Sequence, residues 1–210
     1  MDKINFDDGF GLTDMVLSGE KTQIRMIIKE RDERLDYPRG RNSLGFWEFG
    51  RIGEEPFMLL PRFYVGEELA VAQSYKDIYN QLDKDKQESF LDTLRNTYWS
   101  ILGGDITENI RWNDKTNTRT YLMPHAVKIT KIRFEKLQDI SEEDCLKEGI
   151  LKSDKYAMPY GITEKVAPNC VFFFYKTPKE AFAALIDKIN GYGTWESNPY
   201  LFVYDFELVK

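Results

Sequence analysis

Leu17 to Met26, LSGEKTQIRM, is the stretch that decides how this chain is read. Just ahead of it, Leu12, Met15, Val16 and Leu17 fall on one helical side, with Thr13 or Asp14 near the start. Gly19 stops that helix, because a glycine past the last turn adopts a left-handed backbone without steric cost. Lys21 to Lys29 then follows the period of a strand. Thr22, Ile24, Met26 and Ile28 lie on one face, and Lys21, Gln23, Arg25 and Ile27 on the other. One face is apolar and the other carries both cations, as a half-buried strand requires. Side chains fixed where a helix stops and a strand begins can face a polar ligand. Lys21, Thr22, Gln23 and Arg25 are accordingly the candidate ligand-binding residues.

The 210 residues suit one elaborated domain carrying an insertion. A hydrophobic content of 42% and an aromatic content of 14% supply a packed core. No apolar run reaches the roughly 18 residues of a membrane span, so no membrane partner is expected. The first residues, MDKINFDDGF, lack the layout of a secretory signal. Cys145 and Cys170 lie far apart, without a Cys-x-x-Cys and with His125 as the one histidine. That excludes a Cys/His zinc site, implies no metal or other cofactor, and fits a reducing cytoplasm. A net charge of −6 argues against non-specific coating of nucleic acid. Arg111 to Lys136 is nonetheless locally basic and Asp139 to Glu148 locally acidic.

Further along, Glu30 to Pro61 reads as a long connection with one short hairpin around Phe46 to Ile52. Phe46, Trp47 and Phe49 there have the composition of a base-stacking platform, or pack as loop aromatics. Tyr64 to Ser74 reads as a strand. Asp77 to Ile101 is helical through Ile78, Leu82, Phe90, Leu91, Leu94 and Trp99, and Gly103-Gly104 breaks it. Ala126 to Leu137 is a strand. Ser141 caps a helix ending at Gly149, and Thr177 caps another that opens on Pro178. Val171 to Tyr175 and Tyr200 to Val209 read as strands, with Phe172, Phe173 and Phe174 in the core or an interface.

Four blocks, in order, carry a resemblance to a known family. LSGEKTQIRM resembles the signature of ASCH domains, Gly-x-Lys-x-x-Glu/Thr-x-Arg, matching at Gly19 and Lys21 and departing at Ile24 and Met26. Phe63 to Leu69 resembles the family's Val-Gly-Asp entry into its second strand. IRFEKLQDISEEDCLKEGI, from Ile132 to Ile150, resembles the strand-then-helix block of phage- and bacterium-encoded members. INGYGTWESNPYLFVYDFE, from Ile189 to Glu207, resembles their closing strand. Residues 76–120 find no counterpart and read as a helical insertion.

The resemblance implies an α+β fold: a PUA-like mixed β-barrel of five or six strands with flanking helices. It implies an RNA or modified-nucleoside ligand in a cleft beside the first helix. One branch, the acetylcytidine amidohydrolases, uses a lysine, a threonine and a distant glutamate. Lys21 matches the lysine and Glu148 the glutamate, while Ile24 stands where the hydroxyl nucleophile belongs. Thr22 is two residues away, about 7 Å along a strand. No catalytic residue is therefore assigned beyond the candidates Lys21, Glu148 and Thr22. The expectation is a binding module rather than a competent hydrolase. The alternative is an amidohydrolase or ribonuclease that uses Lys21 and Glu148. A protein-binding scaffold acting through residues 76–120 is a third possibility.

Overall fold

The computed structural model describes residues 1–29, 32–102 and 110–209. Along the chain run β1 (Lys3–Ile4), α1 (Leu12–Leu17), β2 (Gln23–Ile27), β3 (Pro38–Arg41), β4 (Trp47–Phe49) and β5 (Phe57–Leu59). They are followed by β6 (Glu68–Val71), α2 (Tyr75–Gln81), α3 (Lys84–Leu102), β7 (Ala126–Lys136) and α4 (Glu142–Lys147). The chain closes with β8 (Leu151–Lys152), β9 (Tyr160–Val166), β10 (Asn169–Tyr175), α5 (Pro178–Asn190), α6 (Thr194–Ser197) and β11 (Tyr200–Leu208). The fold is α+β. Among the described residues no helix is long and apolar enough to cross a membrane.

Two compact units divide the chain, one of residues 1–6, 68–127 and 209–210, the other of residues 7–67 and 128–208. In the first, β1 runs parallel to β6, with Lys3 opposite Ala70 and Ile4 opposite Val71. Its core joins Tyr75, Ile78, Phe90 and Leu94 to Ile110 and Met123. The helical region predicted over 77–101 is thus present, but as two helices. Ser74 caps α2 with a reciprocal bond to Asp77, and α2 ends at Leu82, whose backbone is extended. The side chain of Trp99 and the Gly103-Gly104 break lie outside the described residues. His125 meets Gln81 Oε1 at 3.3 Å, an ordinary polar contact.

In the second unit the strand order β7-β11-β2 carries the signature stretch. β11 pairs antiparallel with β2, placing Tyr204 opposite Ile24, Val203 opposite Arg25 and Asp205 opposite Gln23. Val203 and Tyr204 are both fully buried, so both faces of this pair are covered. Ser141 caps α4 by accepting from Asp144 N. Thr177 caps α5 with a full capping box to Glu180.

The barrel expected from the resemblance does not appear: among the described residues the strands form open sheets. Part of the reason lies between Pro38 and Leu59. Instead of one hairpin, the segment folds as its own three-stranded sheet, β3-β4-β5. That sheet turns its aromatics inward. Phe49 is fully buried with its ring centroid 4.6 Å from that of Phe134, and Trp47 lies 6.0 Å from the same ring. The platform composition of Phe46, Trp47 and Phe49 is therefore largely core packing. A second sheet, β10-β9-β8, contains two strands that the periodicity did not single out.

Candidate functional site

Lys21, Gln23 and Arg25 do share one face, and that face is buried. Their exposures are 2%, 1% and 7%. Lys21 follows Gly19, whose φ of +80° makes the turn out of α1, and its backbone N–H donates to Met15 O. Alternation then directs the three side chains toward α4. There the first-turn Asp144 and the C-cap residue Glu148 stand four residues apart on one helical side.

The resulting network is dense. Lys21 Nζ donates to Glu148 Oε2 at 2.7 Å and to the Glu148 carbonyl at 2.8 Å. Arg25 Nη1 donates to Glu148 Oε1 at 2.8 Å and to Gln23 Oε1 at 3.1 Å. Gln23 Nε2 donates to Asp144 Oδ1 at 2.9 Å. Arg133 bridges Asp144 at 3.2 Å and Glu135 at 3.1 Å, and reaches Asp205 at 3.6 Å. Arg25 Nη2 lies 3.5 Å from Asp144 and 3.6 Å from Glu135, and the guanidinium carbon sits 5.8 Å from the Phe182 ring centroid. Lys147 also approaches Asp144 at 3.5 Å while pairing with Glu143 at 2.6 Å, so four cations face five carboxylates and no positive charge is left over for a polyanion. Among the described residues, the buried Arg25 Nε and Nη2 have no hydrogen-bond acceptor.

Burial dominates the protonation of Lys21. Desolvation lowers its pKa below the ordinary 10.5, against the opposing attraction of Glu148. Cys145 is the buried neighbour of Asp144, and burial pushes its thiol up to about 12, which makes it a poor nucleophile. Asp144 goes the other way. Burial is the largest influence and raises it, but the Gln23 hydrogen bond and the charges of Arg133 and Arg25 together hold it below 3.8.

A carboxylate lowered in the folded state contributes stability above its unfolded pKa and loses it as pH falls through the folded one. Acid unfolding followed by circular dichroism is therefore expected to depend on Asp144. The native chain should lose stability progressively below about pH 5. Asp144→Asn, weaker at neutral pH, should lose less over the same range.

Thr22 is not part of this network. Its backbone N–H donates to Lys147 O, and its carbonyl accepts from Phe206 N. Strand alternation places its side chain on the other face with Ile24, whose cross-strand neighbour is Tyr204. The structure thus brings together Lys21, Gln23, Arg25 and Glu148, and leaves Thr22 and Ile24 apart. Asp144, Arg133 and Glu135 join the site without having been picked out. The position of Asp144, one turn before Glu148 on the same helix, is the sequence signal that points to it.

A cleft of about 810 Å³ lies past the other end of β2, lined by Ile27, Ile28, Lys136, Asn198 and Tyr200 among others. Lys21, Gln23, Arg25 and Glu148 do not line it. Its wall is fixed by Tyr200, which stacks 4.9 Å from Phe134 and donates to Asp36 at 2.6 Å. Lys136 approaches the same Asp36 at 3.4 Å. Among the described residues no group of three His, Cys, Asp or Glu side chains is arranged to hold a metal. No family model, no curated protein and no solved structure matches this chain.

Proposed function

We propose that this chain is a binding module of the ASCH, PUA-like type whose ligand is a nucleoside or an RNA base, and that it does not hydrolyse that ligand through a side-chain nucleophile. One observation carries the reading. The two residues that the resemblance pairs, Lys21 and Glu148, are separated by 127 positions and meet at 2.7 Å in a buried ion pair. Burying such a pair is costly, and strongly perturbed buried charges concentrate at functional sites.

The chemistry of the cluster favours hydrogen-bond recognition over phosphate attraction. Carboxylates match or exceed the cations, while Arg25 Nε remains a donor in search of a carbonyl-type acceptor. Hydrolysis by the amidohydrolase route needs an activated hydroxyl. Ile24, at the position where the resemblance expects it, offers none. One observation favours the enzymatic reading: a lysine lowered by burial beside a glutamate can act as an acid–base pair on water. Turnover of acetylcytidine abolished by both Lys21→Ala and Glu148→Gln would establish it.

Calorimetric titration with acetylcytidine and with short RNA tests the binding reading. Acetylcytidine affinity should fall about tenfold or more in Glu148→Gln, as for loss of a charged hydrogen bond. Lys136→Ala, in the separate cleft, should leave it unchanged. The reverse pattern would move the site to that cleft, and no binding of either ligand at low salt would end the reading.

A further inference from the structure

Among the described residues, β10 is the one long strand edge left unguarded. It pairs with β9 alone, in an unbroken antiparallel register from Asn169 opposite Val166 to Tyr175 opposite Tyr160. A strand edge carries unpaired backbone N–H and C=O groups, which proteins protect by shortness, charge, proline or irregular pairing. The other sheet edges follow that rule. β1 and β8 are two residues long and β5 is three. β3 holds Pro38, two arginines and a register shift, and β2 is buried along Gln23 and Arg25. β10 has seven residues, NCVFFFY, with neither charge nor proline.

The direction of the free backbone groups follows from the ladder. Lys165, opposite Cys170, turns its N–H away from β10 and donates to Gly9 O at 2.6 Å. A pair of this kind exchanges no bonds across an antiparallel ladder, and bonded and non-bonded pairs alternate. Cys170, Phe172 and Phe174 therefore point their N–H and C=O groups out from the edge, while Val171 and Phe173 bond to β9. The side chains beside that edge are bare on both faces. Phe172 is 56% exposed, and Val171, on the opposite face, is 40% exposed. Phe172 and Phe174 stand near-parallel, 17° apart, with ring centroids 6.5 Å from each other.

Unpaired donors and acceptors in this spacing call for another extended strand, and the charge nearby narrows which one. Exposed Lys155 and Lys176 are balanced by exposed Asp154 and Glu180. Glu164 is matched by Lys188 at 2.7 Å, and Asp14 by Lys165 at 2.8 Å. Such a surface has no net charge to draw an acidic or a basic peptide, and it does not repel a second copy of itself. The strand is also its own complement, because an uncharged run of aromatics meets only apolar partners when it faces its own sequence.

We infer that β10 pairs antiparallel with β10 of a second copy about a two-fold axis at Phe173, joining two three-stranded sheets into one continuous sheet. In that register Phe172 of each copy stands opposite Phe174 of the other, so the outward N–H and C=O groups of both strands are satisfied together. Phe172 and Phe174 pair across the strands on one face, Phe173 meets its counterpart on the other, and such aromatic pairs stabilise a sheet. The same patch serves on both copies, as an isologous dimer requires. The edge is distinct from the Lys21–Glu148 network and does not depend on it.

Sedimentation velocity on the full chain between about 1 and 200 µM should show monomer passing to dimer by mass action. Phe172→Lys, at an exposed position, should weaken the dimer about tenfold or more by placing two like charges in the shared face. Amide hydrogen exchange on the unaltered chain separates edge pairing from stacking of faces. The Phe172 and Phe174 amides should be protected at high concentration and exchange quickly at low, while those of Val171 and Phe173 stay protected at both. A monomer throughout the range would overturn the inference and leave the edge to a strand of another protein. So would a dimer indifferent to Phe172→Lys, or Phe172 and Phe174 amides that exchange alike at both concentrations.

Discussion

Glu148→Ala is expected to destabilise the second unit by about 3–5 kcal/mol, among the largest effects of any single change in this chain. Glu148 is the shared acceptor of Lys21 and Arg25 through its two carboxylate oxygens. Both cations are almost wholly buried, so removing the carboxylate leaves two desolvated positive charges near each other. Neither can turn to water without opening the packing of α1, β2 and α4. Urea unfolding should show the loss as a lower midpoint with little change in slope. Glu148→Gln keeps the shape and one acceptor oxygen, and should lose less. A midpoint within about 0.5 kcal/mol of the parent for the alanine variant, the usual range of surface changes, would mean that water reaches the network freely.

Gly149→Ala is expected to cost about 2–6 kcal/mol, from two sources that add. Gly149 has φ of +100°, a region that side chains other than glycine enter at about 1–3 kcal/mol. A methyl there would also come within 3.0 Å of Met15 Sδ and 3.1 Å of Leu12 Cδ2, and 3.7 Å of Lys21 Cδ. Overpacking of this kind costs about 1–3 kcal/mol. The glycine therefore does more than end α4. It lets α1 and the stem of Lys21 close over the Glu148 turn, and its replacement should also weaken nucleoside binding. Thermal unfolding measures the first effect directly.

Much of this was legible in the sequence because it rests on local rules. The Gly19 stop, the Ser141 and Thr177 caps and the alternation of Lys21 to Ile27 each follow from a few adjacent residues. The Lys21–Glu148 pairing came from resemblance, since no local rule links positions 127 apart. What local rules could not give was which face of β2 is buried. Cations on a strand suggest solvent, and only tertiary carboxylates from α4 and β7 make their burial tolerable. The open sheets lie beyond local rules for a similar reason, as β3, β4 and β5 are three or four residues long and their pairing depends on aromatics docking onto Phe134. Phe172 and Phe174 illustrate the converse. An aromatic run reads as core, yet α5 covers one side of β10 and leaves the other bare.

The central claim is that the buried network around Arg25 receives a nucleoside. Arg25 Nε–H resonates separately from backbone amides, so its heteronuclear NMR signal during titration with acetylcytidine reports on a donor that has no acceptor among the described residues. A saturable shift of that signal, with a parallel change at Lys21, is the predicted result. An unchanged Arg25 signal, while residues around Ile28 and Lys136 move or nothing moves at all, would contradict it.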